Sequence, residues 1–146
     1  MDNTPIYIKM ADCPEIQEDH IFDTGDFAIT EYDKKFGIFL NPGRGDYLID
    51  LEGHDFYTDD FESLVWLPRQ DDLQKMVVAK VCADYTKTDL SPEHRLVTVF
   101  ASFVTAVRFP YKIPQNDLTS MEQLWLAFVM SELHSKTWDG KAWISA

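Results

Sequence analysis

Two prolines delimit the segment that most restricts how this chain folds. Ser91-Pro92 opens it and Phe109-Pro110 closes it. Serine is a favoured N-cap, and proline suits the first helical position because the amide it lacks there has no intrahelical partner. A second proline further on disfavours helical backbone at the residue before it, so the spacing predicts one helix over residues 91–108. Leu96, Phe100, Phe103, Val104 and Val107 recur within it at helical spacing. Val97, Val99 and Ala101 add apolar surface elsewhere, so this helix is expected to be the most buried. Its uncharged run, residues 96–107, is 12 residues long and includes Thr98, Ser102 and Thr105. A bilayer crossing needs ~20 apolar residues.

Two further helices are expected in the second half. Pro68, Asp71 and Asp72 near a first turn and Lys80 near the end suit a helix and its dipole. Thr119 and Glu122 stand three apart, as a capping box requires, and open a helix over residues 119–136. Met121, Leu124, Trp125, Phe128 and Val129 form its apolar stripe, with Trp125 in the core. Asp139-Gly140 between Trp138 and Trp143 is a tight-turn signal, consistent with a small terminal hairpin or hook.

The first half reads as short strands. Ile6-Tyr7-Ile8, residues 27–32 and residues 36–40 are candidates, the last two joined by Asp33-Lys34-Lys35. Asn41-Pro42-Gly43-Arg44-Gly45 is a turn, and residues 47–52 then alternate in polarity. Residues 12–26 read as an acidic loop with a short turn of helix. Strands first and helices second give an α+β fold. The expectation is one domain over residues 1–146, with an N-terminal antiparallel sheet of three or four strands and three C-terminal helices on one face. At 45% hydrophobic and 14% aromatic residues, a chain of 146 can build a core.

Charge is distributed very unevenly. Residues 1–62 hold 16 acidic side chains against Lys9, Lys34, Lys35 and Arg44, and that difference equals the net charge of −12. Beyond them, nine acids meet nine bases. The imbalance speaks to partners rather than to fold. It argues against direct contact with nucleic-acid phosphate and favours a basic protein surface as partner. Asp12, Glu15, Glu18, Asp19, Asp23 and Asp26 are the candidate binding residues, able to imitate the charge rows of a duplex. The start, Met1-Asp2-Asn3-Thr4-Pro5, is acidic and polar where a signal peptide is basic and then apolar. Cys13 and Cys82 fit neither a CxxC nor a Cys/His cluster, and the expected location is cytoplasmic.

Leu64-Val65-Trp66-Leu67-Pro68-Arg69-Gln70, the helix at Glu122-Gln123-Leu124-Trp125-Leu126-Ala127-Phe128 and the corner Lys136-Thr137-Trp138-Asp139-Gly140 carry a resemblance. The chain resembles small uncharacterised proteins of bacteria and their phages. In those a WLPxQ-type segment precedes a helix, and a Trp- and Phe-rich helix ends in a K-x-W-x-G corner. The resemblance covers roughly the last 80 residues and implies a phage or mobile-element setting without an activity.

One constellation could carry chemistry. If residues 47–52 form a strand, Asp50 and Glu52 face the same way and offer two carboxylates to Mg²⁺ or Mn²⁺. That segment resembles the D-x-E motif of RNase H-like exonucleases, whose late H-x-A-x-x-D finds a partial match in His134 and Asp139, with Lys136 where the small residue belongs. The resemblance requires a further Asp, for which Asp84 or Asp89 would serve. Against it stands a solvated strand face carrying Asp50 and Glu52, and a His134 welcome at a helix C-terminus. Gly53-His54-Asp55 extends the acidic segment and with Asp50, Glu52 and Asp59 could hold a metal ion, but the spacing is no accepted ligand pattern and a solvated acidic loop is the expectation.

The favoured expectation is therefore a non-enzymatic interaction module with no cofactor and no metal. A metal-dependent nuclease is the alternative. A homo-oligomeric structural protein joined through Trp138 and Trp143 is the third reading.

Overall fold

The computed structural model describes residues 1–32, 34–41, 47–56, 64–84, 90–108 and 118–146, with the side chains of residues 55, 56, 84, 107 and 108 outside the description. The fold is α+β, and the chain forms two compact units. One comprises Met1 and Asn3–Arg69; the other comprises Asp2 and Gln70–Ala146.

The first unit begins with helix α1, Pro5–Ala11, where a strand was expected around Ile6-Tyr7-Ile8. Thr4 explains the difference. Its hydroxyl accepts from the Tyr7 amide at 3.3 Å, and Pro5 occupies the first helical position. Tyr7, Met10 and Ala11 are then buried at helical spacing, and the Tyr7 hydroxyl donates to the Pro68 carbonyl. Helix α2, Pro14–Gln17, supplies the short turn anticipated in the acidic stretch.

Among the described residues five antiparallel strands follow: β1 Phe27–Thr30, β2 Phe36–Leu40, β3 Tyr47–Ile49, β4 Asp55–Phe56 and β5 Leu64–Trp66. They pair in the order β4-β3-β2-β1-β5, so consecutive hairpins build most of the sheet and β5 returns to the far side of β1. Ala28 pairs with Gly37 on one side and Trp66 on the other. Lys34, with φ of 53°, sits in the β1–β2 link, where Thr30 and Lys35 close the turn. Ala28, Phe39, Leu48 and Leu64 form a buried cluster on one sheet face, with Phe22 packed against it. The turn expected at Asn41-Pro42-Gly43-Arg44-Gly45 lies outside the described residues beyond Asn41.

The second unit contains α3 Gln70–Asp84, α4 Pro92–Arg108, α5 Met121–His134, β6 Lys136–Trp138 and β7 Trp143–Ser145. The proline-delimited helix has its expected bounds, and Ser91 caps it, accepting from the His94 amide at 3.4 Å. It is not the most buried helix, however. Val97 is 62% exposed, whereas α5 is buried from Gln123 through Met130. Apolar residues surround α5 on every side, and α4 has them mainly on one. Phe100 stacks on Trp125 at 3.7 Å, and Phe128 meets both rings edge-on.

The cap of α5 is Ser120 rather than Thr119. Its hydroxyl accepts from the Gln123 amide at 3.1 Å, and the Gln123 side chain accepts from the Thr119 amide at 2.7 Å. Buried Asp2 joins this cap, accepting from the Ser120 hydroxyl and, at 2.7 Å, from Gln123 Nε2. A carboxylate at a helix N-terminus complements the dipole. After α5, Ser135 turns the chain at φ 52°, and β6 pairs with β7 as the anticipated terminal hairpin.

Candidate functional site

The acidic stretch divides into exposed and structural carboxylates. Asp12 is exposed where α1 ends, Glu18 and Asp19 are exposed after α2, and Asp23 is exposed before β1. Among the described residues, none of these four forms an ion pair. Glu15 is half-buried in the first turn of α2, where the helix dipole favours it.

Asp26, one of the six candidate binding residues, is not at the open surface. Its side chain is only 15% exposed. One carboxylate oxygen accepts from the Asp23 amide at 2.8 Å and meets His20 Nε2 at 2.9 Å. The His20 ring in turn lies flat on Trp66, with ring centroids 3.5 Å apart and planes 2° from parallel. Asp26 is thus an internal brace of the loop leading into β1. Asp2 is likewise withdrawn from the acidic surface by its place in the α5 cap.

The second unit does not offer Lys75 as a loose cation. Its ammonium meets Asp71 at 3.1 Å and Asp72 at 3.4 Å within α3. Hydrogen bonding to Asp71 chiefly, then to Asp72, raises the Lys75 pKa.

The expected strand over residues 47–52 ends at Ile49. Asp50 and Glu52 therefore do not share a strand face; they lie in the turn between β3 and β4. The cause is the Asp50 side chain, whose Oδ1 accepts from the amides of Glu52 and His54, each at 2.9 Å. An aspartate bonding its own backbone two residues on is a turn-former that competes with strand pairing. Gly53, at φ 86°, supplies the left-handed backbone that the turn needs. Donation chiefly from the His54 amide holds the Asp50 carboxyl below its usual range.

The same turn gathers three potential ligands. His54 Nδ1 lies 3.3 Å from Asp50 Oδ2 and 3.7 Å from Glu52 Oε2, and the donor atoms of all three residues fall within 4.8 Å of one another. Glu52 is 82% and His54 72% exposed, so water reaches the group freely. The donor set would suit a weakly held divalent cation that keeps most of its water shell. Asp59, weighed with this group from the sequence, lies outside the described residues.

The other residues of the D-x-E pattern belong to the second unit. His134 occupies the last turn of α5. Asp139 shapes the terminal hairpin, accepting from the amides of Lys141 and Ala142 at 2.7 Å each. Those amides, Ala142 foremost, hold the Asp139 carboxyl below its usual range. Asp89 and the side chain of Asp84 fall outside the description.

Trp138 is 4% exposed and meets Trp143 edge-on at 5.1 Å. Trp138 is therefore part of the packing that fixes the hairpin rather than an outward contact; Trp143 is half-buried beside it. Among the described residues, neither Cys13 nor Cys82 is in a disulfide. Among the described residues, no helix is long and apolar enough to cross a membrane.

Sequence reasoning missed Gln17 and His20. Both act on Trp66, 49 residues after Gln17, and no local pattern announces contacts at that separation. No family model, no curated protein and no solved structure matches the chain.

Proposed function

We propose that this protein is a non-enzymatic interaction module whose first unit offers an acidic surface to a basic protein partner, as a duplex mimic or inhibitor does. The observation that carries the reading is the state of Asp12, Glu18, Asp19 and Asp23. All four are exposed, and none has an ion-pair partner among the described residues. They belong to a unit in which residues 3–69 carry 15 acidic side chains against five basic ones. A field of one sign speeds encounter with an oppositely charged surface and repels nucleic-acid phosphate. Exposed carboxylates keep their hydration until a partner arrives, so the field survives at the surface at low salt and is screened at high salt.

The test is affinity capture with the whole chain as bait, at low and at high salt. A variant carrying D12N, E18Q, D19N and D23N is run beside it. The reading expects a basic protein retained by the native chain at low salt and lost from the variant. Equal capture by both baits, or capture indifferent to salt, contradicts it.

A further inference from the structure

The first unit also contains a groove whose charge is opposite to that of its surroundings. It has a volume of about 460 Å³ and is lined by Asn3, Pro5, Ile8, Lys9, Asp12, Ile29, Lys34 and Phe36. Its floor is apolar, because Ile29 and Phe36 are cross-strand partners in β1 and β2. Helix α1 contributes Ile8 to the apolar lining. Lys9, in the last turn of α1, and Lys34, in the left-handed link between β1 and β2, are its cationic lining residues. Both are exposed, and neither has an ion-pair partner among the described residues.

We infer that this groove binds a small organic monocarboxylate with an apolar body. Charge complementarity selects the ligand. Two of the unit's five basic side chains line this one groove, and with Asp12 beside them the described lining residues carry a single net positive charge. A monoanion balances it. A polyphosphate would meet the acidic remainder of the unit and be repelled. The volume lies within the range of sites for small molecules, and an apolar lining with a few fixed polar groups is their usual chemistry. Asn3 adds an amide able to hydrogen-bond a carboxylate oxygen.

Octanoate is the probe, titrated into the isotopically labelled full chain and followed by amide chemical shifts. Saturable shifts at Ile8, Ile29 and Phe36 are expected. Acetate, lacking the chain, binds at least about tenfold more weakly because it leaves the apolar floor uncovered. The variant K9Q/K34Q removes both ammonium groups from exposed positions, and its affinity for octanoate falls about tenfold with amide dispersion retained. Octylammonium, the same chain with the charge reversed, gives no saturable shifts at these residues. Absence of saturable shifts with octanoate overturns the inference, as does equal binding of octylammonium or undiminished binding to K9Q/K34Q. Asp12 belongs both to this lining and to the acidic surface, but K9Q/K34Q leaves all four surface carboxylates in place, so failure of octanoate binding and failure of the acidic-surface reading are distinguishable.

Discussion

Gln17 and Trp66 exchange two hydrogen bonds in the manner of paired strand residues. The Trp66 backbone amide donates to Gln17 Oε1 and Gln17 Nε2 donates to the Trp66 carbonyl, both at 3.0 Å. β5 is an edge strand, and its next residue, Leu67, donates inward to Phe27. Trp66 therefore directs its backbone groups to the open side, and the Gln17 side chain occupies that side. Covering an edge this way satisfies polar groups that otherwise template pairing with another chain.

Gln17→Glu tests this directly. A carboxylate cannot donate, so the Trp66 carbonyl and the Ala11 carbonyl, bonded to the same nitrogen at 2.8 Å, both lose their donor. A loss of about 2 kcal/mol in urea unfolding is expected from two such acceptors. A change within about 0.5 kcal/mol, the range of ordinary surface substitutions, contradicts the assignment.

Asp26 and Asp19 separate structural from exposed carboxylates. Asp26→Ala removes the acceptor of the Asp23 amide and the partner of His20. It is expected to destabilise by about 1–3 kcal/mol. Asp19→Asn touches only exposed surface and is expected to stay within about 0.5 kcal/mol. Parallel unfolding curves of the two variants against the native chain provide the comparison.

The terminal hairpin is expected to loosen in acid. The Asp139 pKa is lowered in the folded chain by the Ala142 and Lys141 amides. In the window between the folded and unfolded pKa values the unfolded state binds more protons, so stability rises with pH there. The contribution is fully present above the unfolded carboxylate value and is lost as pH falls through the folded one. Carbon-detected titration of the Asp139 carboxyl should give a midpoint below the usual range, with the Lys141 and Ala142 amides shifting in step. A midpoint in the ordinary aspartate range contradicts the hydrogen bonding.

Trp138 and Trp143 should differ in weight. Trp138 is buried, so Trp138→Ala is expected to cost about 3 kcal/mol. Trp143 is half-buried, and its replacement by alanine is expected to cost about 1 kcal/mol, largely through the lost ring pair. Equal thermal shifts for the two variants contradict the placement.

Legibility followed the range of the forces involved. α4 was readable because its cap and its stop are both local, Ser91-Pro92 and Phe109-Pro110. The terminal hairpin was readable from Asp139-Gly140, whose turn chemistry needs only neighbouring amides. α1 reads as a strand from Ile6-Tyr7-Ile8 because three apolar residues carry no resolvable period, although Thr4-Pro5 announces its start. The shift of the α5 cap to Ser120 reflects two adjacent hydroxyls, of which only Ser120 accepts from Gln123. Alternation over residues 47–52 places Asp50 in a strand, whereas its own side chain diverts the backbone into a turn. Asp26 and His20 depend on Trp66, and the groove depends on α1 meeting β1 and β2. Such juxtapositions belong to tertiary structure.

The association rate of a captured basic partner, measured against ionic strength, tests the central claim most directly. The account predicts a rate for the native chain that falls steeply as salt is added, and a markedly shallower dependence for D12N/E18Q/D19N/D23N, the two converging once the charges are screened. Identical salt dependence for native chain and variant would contradict it, because the exposed carboxylates would then contribute nothing to the encounter.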